Sequence, residues 1–254
     1  MDEERRLLAW LKEKGRVALA FSGGVDSTYL LSVALEALGR ENVLPLLVQA
    51  QLHSRREGSE AREYAAKLGA ALQILPMDIA DVPGLVENPP DRCYHCKNTL
   101  FRQILRAAEN DGFPLLLDGT NASDDAGDRP GMRALRELSV RSPLRECGLT
   151  KAEIRRLSRE AGLFTWDKPA YACLATRIRT GEEITLQKLK QTEKAEGFLF
   201  GLGFRDFRVR MVDNTAKLEL READLPLLLE NREKIVTELR KDYDSVLLNL
   251  EVRK

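Results

Sequence analysis

Apolar positions along this chain switch repeatedly between helical and strand spacing, and the switches lay out a fold. Residues 4–14 place leucines among charged neighbours at helical spacing and predict a first helix that ends at Gly15. Val17 to Phe21 form a short apolar run, as a strand covered on both faces would. Val25 to Leu35 return to helical spacing, and that helix stops near Gly39. Val43 to Val48 read as a second strand, in which Pro45 favours a position near an edge or a strand start. Gln49 to Ser54 follow as strand end and loop. Ser59 to Leu68 predict a helix with Gly69 as its cap, and Leu72 to Met77 a third strand. This β-α-β-α-β order implies a parallel sheet with right-handed crossovers.

Asp81 to Asp91 form a Pro-rich loop leading into CYHCKNTLFRQILRAAEN, where a helix begins at or near the cysteines. Leu115 to Leu117 predict a fourth strand. The segment after it, DGTNASDDAGDRPGMRAL, is too polar and Gly-rich for a simple connector. Following a strand, it belongs at the carboxyl edge of the sheet, where open α/β sheets bind ligands. Ser139 to Ser142 predict a fifth strand, and Thr150 to Glu160 a helix opened by the capping box Thr150-x-x-Glu153. A second region starts near Gly181, with a helix over Leu186–Leu202. Strands at Arg205–Met211 and Lys217–Leu220 flank the turn Asp213-Asn214. A helix over Leu225–Lys241 and a strand over Ser245–Val252 complete it. The expected architecture is an α/β domain with a parallel sheet over residues 1–180 and a small α+β domain over 181–254.

Composition narrows the functional classes. The 254 residues suffice for one large or two modest domains, and 43% are hydrophobic, ample for a core. Forty basic and forty acidic residues cancel, so net charge asks for no polyanion, and nucleic acid is not an expected partner. No window approaches 18 apolar residues, which argues against a membrane span. The opening MDEERRLLAW reads as the start of an amphipathic helix rather than a signal peptide. A soluble cytoplasmic protein is the expectation. In that setting Cys93, Cys96, Cys147 and Cys173 are ligands, catalysts or core residues rather than disulfides.

The candidate chemistry centres on Ser22-Gly23-Gly24-Val25-Asp26-Ser27, between the first strand and its helix. Gly23 and Gly24 allow positive φ and close backbone approach of a ligand. The free N–H groups of the helix start make an anion site, and Ser22 and Ser27 add hydroxyl donors. No Gly-Lys-Ser/Thr follows, so this is not a Walker loop. It resembles the SGGxDS "PP-loop" of ATP pyrophosphatases, which split ATP into AMP and pyrophosphate. Asp26 suits the helix dipole, but beside phosphates it is repulsive unless Mg²⁺ intervenes. Cys93-Tyr-His-Cys96 leaves three readings open: a mixed zinc site with Cys173 and His95, an iron–sulfur cluster held by Cys93, Cys96 and Cys173, or unliganded thiols. A thioredoxin-like redox pair is disfavoured by position. Cys147 reads as a small semi-buried residue. His53 and His95 pair with no visible nucleophile.

FSGGVDS, DGTNASDDAGDRPGMRAL, SPLRECGLTKAEIRRLSREAGL and WDKPAYACLATRI occur in that order. With these motifs the chain resembles the LarE family, the ATP-dependent sulfur transferases of nickel-pincer cofactor synthesis. The resemblance implies that ATP and Mg²⁺ adenylate a carboxylate of pyridinium-3,5-biscarboxylic acid mononucleotide, that sulfur then displaces AMP, and that the second carboxylate is treated likewise. In many members the cysteine equivalent to Cys173 gives up its own sulfur. Here Cys93 and Cys96 depart from that pattern. They resemble the branch in which three cysteines hold a [4Fe-4S] cluster whose open iron carries sulfide.

The resemblance also assigns residues. Ser22, Gly23, Gly24, Asp26 and Ser27 would hold the pyrophosphate end of ATP. Gly119, Thr120, Asn121 and Asp125 would form a second nucleotide-side motif, with Asp125 a candidate Mg²⁺ ligand. Arg129 and Arg133 would meet a phosphate or the adenylate, and Lys97 would face charge near a cluster. For the substrate phosphate the candidates are Arg177, Arg179, Arg208 and Arg210, with Glu196 and Glu219 nearby. A trimer or hexamer is implied by resemblance only. A tRNA-thiolating enzyme, an amidating synthetase and a non-enzymatic ATP-binding protein are the competing readings. The first two share ATP use, and neutral charge with a short second region argues against the tRNA enzyme.

Overall fold

The structure is a computed structural model that describes residues 3–124 and 130–253. The chain divides into two compact units. One runs through Pro83 and resumes from Asp91 to Lys168; the other takes Gly84–Pro90 and everything from Pro169 onward.

In the first unit α1 (Glu3–Lys12) precedes β1 (Val17–Ala20) and α2 (Val25–Leu38). Then come β2 (Val43–Ala50), α3 (Arg55–Lys67), β3 (Gln73–Met77), α4 (Arg92–Asn110) and β4 (Leu116–Leu117). The unit ends with α5 (Pro130–Glu137), α6 (Pro143–Glu146) and α7 (Lys151–Glu160). Its four-stranded sheet has the order β3-β2-β1-β4, and every pairing is parallel, as the alternating helices require. Val17, Ala18 and Leu19 of central β1 are fully buried, which is why that strand reads as an unbroken apolar run. Leu30 and Leu31 of α2 pack into the same core. Apolar burial of this kind contributes about 1.5–3 kcal/mol per large side chain.

β2 is internal, so of the two settings expected for Pro45 the strand start applies and the edge does not. Pro45 is tolerated because it faces Leu19 of β1 before the ladder to β3 begins at Leu46, so its missing N–H is near the strand start. Ser139–Ser142 is not a fifth strand: it contributes one parallel bridge, Leu117 with Arg141, closed by Arg141 N–H to Leu116 O at 3.0 Å and Asp118 N–H to Arg141 O at 2.9 Å. Ser139 is left-handed (φ 54°) and Pro143 starts α6, which leaves too few residues to extend the pairing. The capping box at Thr150 and Glu153 forms as expected.

In the second unit α8 (Leu186–Gly201) is followed by β5 (Arg208–Val212), β6 (Thr215–Glu219), α9 (Leu225–Glu230), α10 (Arg232–Leu239) and β7 (Ser245–Leu248). β5 and β6 form an antiparallel hairpin turned at Asp213 (φ 52°), and β7 joins β6 in parallel. The single helix expected over Leu225–Lys241 is broken at Asn231, whose side-chain amide donates to Leu227 O at 3.0 Å in competition with the backbone.

The division between units falls at Lys168/Pro169, not at 180/181. Residues 169–180 join the second unit because Ile178 bridges to Met211 and Arg177 pairs with Glu196 at 2.8 Å. The Pro-rich loop belongs there too. Buried, left-handed Asn88 donates to Arg179 O and accepts from Gly181 N–H, both at 2.8 Å.

Candidate active site

In the first unit the chain leaves β1 through Ser22 and turns at Gly23 (φ 69°) into α2. Gly24 is extended rather than left-handed, so only Gly23 uses the positive φ that both allow. A Cβ on Gly23 would lie 2.8 Å from the Cα of Ala61 in α3, so the turn is pressed onto that helix. The start of α2 has no side-chain cap, leaving its first N–H groups for an anion. Ser22 and Ser27 hydroxyls meet at 3.1 Å; Ser27 Oγ also donates to Gly24 O, and Ser22 Oγ accepts from Gly24 N–H. These hydroxyls therefore shape the turn as well as facing a ligand.

The loop after β4 is brought directly onto this turn. A Cβ on Gly119 would come within 3.1 Å of the Ser27 nitrogen, so the two backbones touch. Thr120 and Asn121 secure the loop itself. Thr120 donates to Asp118, Asn121 Oδ1 accepts from Ser123 N–H at 2.8 Å, and Asn121 N–H donates to Asp124 at 2.9 Å. Asp118, buried at the end of β4, also accepts from Ser142 Oγ at 2.6 Å. Asp125, Asp128 and Arg129 lie outside the described residues.

Two lysines complete the site. Lys151, first residue of α7, places Nζ 2.7 Å from Asp26 Oδ2. Lys168 donates to Gly23 O at 2.9 Å while pairing with Glu60 at 2.8 Å. Neither stands out as a site residue in the sequence. Lys151 does carry a signal: a lysine in a first helical turn opposes the helix dipole unless an anion faces it. Burial pushes the Asp26 carboxyl above its ordinary range, Lys151 holds it back, and the neighbouring Asp124 charge adds to the rise. Asp26 Oδ1 is buried with no hydrogen-bond partner. An orphaned carboxylate oxygen at a phosphate turn fits Mg²⁺ well, since that ion takes one or two carboxylates and shares the rest of its shell with phosphates and water. Exchanging Lys151→Met removes the larger lowering influences and leaves only the Arg155 charge to oppose burial and Asp124. The acid limb of an ATP-dependent rate that needs ionised Asp26 then moves to higher pH, which a pH–rate profile of pyrophosphate release measures.

Cys93 and Cys96 fall one turn apart at the start of α4; neither is in a disulfide, and the first is exposed and the second half-buried. Their shared helix face fits two adjacent thiolate ligands. Between them Tyr94 donates to Glu137 at 2.6 Å, and Arg133 stacks over the Tyr94 ring at 4.0 Å. Arg133 thus meets the cysteine turn and Glu137, whereas the sequence reading assigns it to the nucleotide. Lys97 runs along Gly131, where a Cβ would be 2.9 Å from its Cδ. His95 pairs with Asp91 at 3.3 Å. Half-buried His53 accepts from Ala50 N–H, and Cys147 is buried in the core. Among the described residues no group of three or more His, Cys, Asp and Glu is placed to hold a metal ion.

In the second unit Cys173 caps the short 3₁₀ turn Leu174–Arg177 and is half-buried. Arg177, expected at the substrate phosphate, is 1% exposed. Its Nε and Nη2 donate to the two Glu196 oxygens at 2.8 and 3.0 Å, and Nη1 turns back onto the Cys173 segment. With its donors engaged inside the fold, it has no edge left for a phosphate. Glu196 also accepts from Tyr171 and, at 3.0 Å, from Val209 N–H. Arg208 donates to Phe207 O and Ala170 O; burial and the nearby Arg177 and Arg253 charges lower its pKa. Arg210 pairs with Glu219 at 2.7 Å and keeps 39% of its side chain exposed. Both arginines lie on one face of β5, as expected. Arg179 is exposed.

A parallel strand, an SGG turn pressed on a neighbouring helix and an uncapped helix start define a PP-loop nucleotide-binding protein. The NAD synthase family matches residues 9–99. The chain is 36% identical to pyridinium-3,5-bisthiocarboxylic acid mononucleotide synthase of Lactiplantibacillus plantarum, over 85% of this chain and 79% of that one. It is 38% identical to an uncharacterised protein of Synechocystis over 82% of this chain and 77% of that one. A further uncharacterised protein, from Methanocaldococcus jannaschii, is 32% identical over 95% of this chain and 93% of that one. This chain belongs to the LarE family. No helix among the described residues is long and apolar enough to cross a membrane.

Proposed function

We propose that this protein uses ATP to place sulfur on the carboxylates of pyridinium-3,5-biscarboxylic acid mononucleotide, giving thiocarboxylates for the nickel-pincer cofactor. The observation that carries this reading is the Ser22–Ser27 turn with Asp26 Oδ1 left unpartnered beside it, in a chain of the LarE family. The α2 N–H groups and the two serine hydroxyls bind the departing pyrophosphate, and Lys151 and Lys168 supply positive charge at its edge. Asp26 would hold Mg²⁺, which neutralises phosphate charge. The substrate carboxylate oxygen attacks the α-phosphorus, the α–β bond breaks, and pyrophosphate leaves. Sulfur then attacks the acyl carbon, and AMP leaves with the bonding pair.

Cys93, Cys96 and Cys173 would ligate a [4Fe-4S] cluster. Bound there, the cluster has one iron without a protein thiolate and supplies a place for sulfide. The two cysteines on one turn of α4 support this reading, because a sacrificial mechanism needs Cys173 alone. Arg208 and Arg210 are the candidates for the substrate phosphate. Homo-oligomerisation and an external sulfide source belong to the same proposal.

Chain purified without oxygen and incubated with ATP, Mg²⁺ and the biscarboxylate substrate tests it. The expected result is pyrophosphate release and thiocarboxylate by mass spectrometry. Iron and sulfide should each be on the order of four per chain, with a visible absorbance band. Iron-free protein whose Cys173 loses the mass of H₂S after one turnover would establish the sacrificial route instead. Pyrophosphate release driven by ammonia, insensitive to Cys93→Ala, Cys96→Ala and Cys173→Ala, would establish an amidating synthetase.

A further inference from the structure

We infer that Arg177 is the positioning residue of Cys173, and that its work is to fix the direction in which that sulfur points. The inference rests on the proposed function for the statement that Cys173 carries sulfur chemistry. Its physical content lies wholly within the second unit.

Arg177 closes the short turn that Cys173 opens. Its Nη1 folds back along the turn and donates to Ala172 O at 3.0 Å, to Cys173 O at 3.4 Å and to Thr176 Oγ1 at 2.7 Å. Thr176 Oγ1 in turn donates to Cys173 O at 2.8 Å. The peptide groups on both sides of Cys173 are therefore tied to one cation. Its remaining edge is held by both oxygens of Glu196, from the packed helix α8. Tyr171, two residues before the cysteine, donates to the same carboxylate and lies 4.7 Å from the guanidinium carbon. Fixing the carbonyls of residues 172 and 173 fixes the Cα–Cβ bond of Cys173, which is half-buried and in no disulfide.

Only arginine suits this place. A planar fork with five donors reaches a carboxylate on one edge and carbonyl oxygens on the other, whereas a lysine ammonium has three donors at one point. A buried ion pair adds little stability over apolar side chains of similar volume. What the pair imposes is order. Misplacing a reacting group by about 1 Å costs about 10²-fold in rate.

The positioning role separates Arg177 from the phosphate-binding arginines by its kinetic signature. Arg177→Lys keeps a charge opposite Glu196. The double variant Arg177→Met/Glu196→Gln removes the ion pair while the amide oxygen still accepts from Val209 N–H, which keeps the fold measurable. In both, kcat for thiocarboxylate formation should fall about 100-fold. KM for the mononucleotide should stay within about threefold, as expected when ground-state binding is untouched. ATP affinity, measured by calorimetry, should not change. Alkylation of Cys173 by iodoacetamide in the iron-free full chain, read by peptide mapping, should speed up about tenfold as the segment loosens, while core Cys147 keeps its rate. Raised KM with retained kcat, or an unchanged Cys173 alkylation rate in folded variants, would overturn the assignment. If the wild-type chain makes no thiocarboxylate but the alkylation contrast holds, the proposed reaction falls and the positioning role stands.

Discussion

Asp26→Asn is expected to lower ATP-dependent pyrophosphate release about 10³-fold while leaving the fold intact. The carboxylate stands in the first turn of α2 with one oxygen on Lys151 and the other buried and unpartnered. Asparagine keeps the shape and can still accept from Lys151, but it removes the negative charge that would hold Mg²⁺ against the phosphates. Losing several kcal/mol of charge stabilisation at the reacting phosphate corresponds to a rate factor on the order of 10³. The effect on stability is small for a separate reason. The Lys151–Asp26 pair is partly exposed, with side chains 34% and 22% accessible, and solvent-screened pairs contribute roughly 0–1 kcal/mol. A melting curve within a few degrees of wild type, with a collapse of the coupled pyrophosphate assay across a Mg²⁺ titration, is the expected pattern. A loss below about tenfold would remove Asp26 from the metal site and leave its carboxylate as the partner of Lys151 alone.

This contrast between local and long-range chemistry also explains what the sequence reveals. Periodicity alone outlines the strands and helices of the first unit, because β1 is buried on both faces and α2, α3 and α7 carry their caps and glycines in the chain itself. The turn at Ser22–Ser27 and the loop at Gly119–Asn121 are legible for the same reason. Each is a short run whose conformation follows from its own residues. Lys151 and Lys168 are not legible that way, since their partners Asp26 and Gly23 lie 125 and 145 residues away. Arg177 misleads for a related reason. An arginine near a candidate cysteine suggests a phosphate ligand until its carboxylate, Glu196, is seen to bury it. The Pro-rich loop looks like a connector because proline and glycine mark turns, yet Asn88 anchors it beneath Arg179. The short bridge at Arg141 shows a limit of apolar patterning. Val140 and its neighbours suit a strand locally, but Ser139 and Pro143 leave one residue to pair.

Gly23→Ala should be the most damaging single-methyl change in the first unit. A left-handed conformation costs an L-residue about 1–2 kcal/mol, and the new Cβ would meet Ala61 Cα at 2.8 Å and Ala61 Cβ at 2.9 Å. That Cα belongs to the backbone of α3, so no side-chain rotation relieves the clash; overpacking of this kind adds about 1–3 kcal/mol. Together these imply a loss of about 2–5 kcal/mol and a fall in melting temperature of roughly 4–20 °C. ATP affinity should fall with it, since the turn must leave α3 and carry the α2 N–H groups out of line. Gly119→Ala is the contrasting case. It has ordinary φ, and its new Cβ would sit 3.1 and 3.3 Å from Ser27 backbone atoms, so a shift of a few tenths of an ångström accommodates it; stability should change by about 1 kcal/mol while ATP binding weakens. A second-site change, Ala61→Gly, removes the overlap between the two methyl groups. It leaves the α3 backbone in the way and the left-handed strain in place. It should therefore recover only part of the Gly23→Ala loss. Full recovery would mean that methyl–methyl overlap, not backbone pressed on backbone, sets the demand for glycine at this turn.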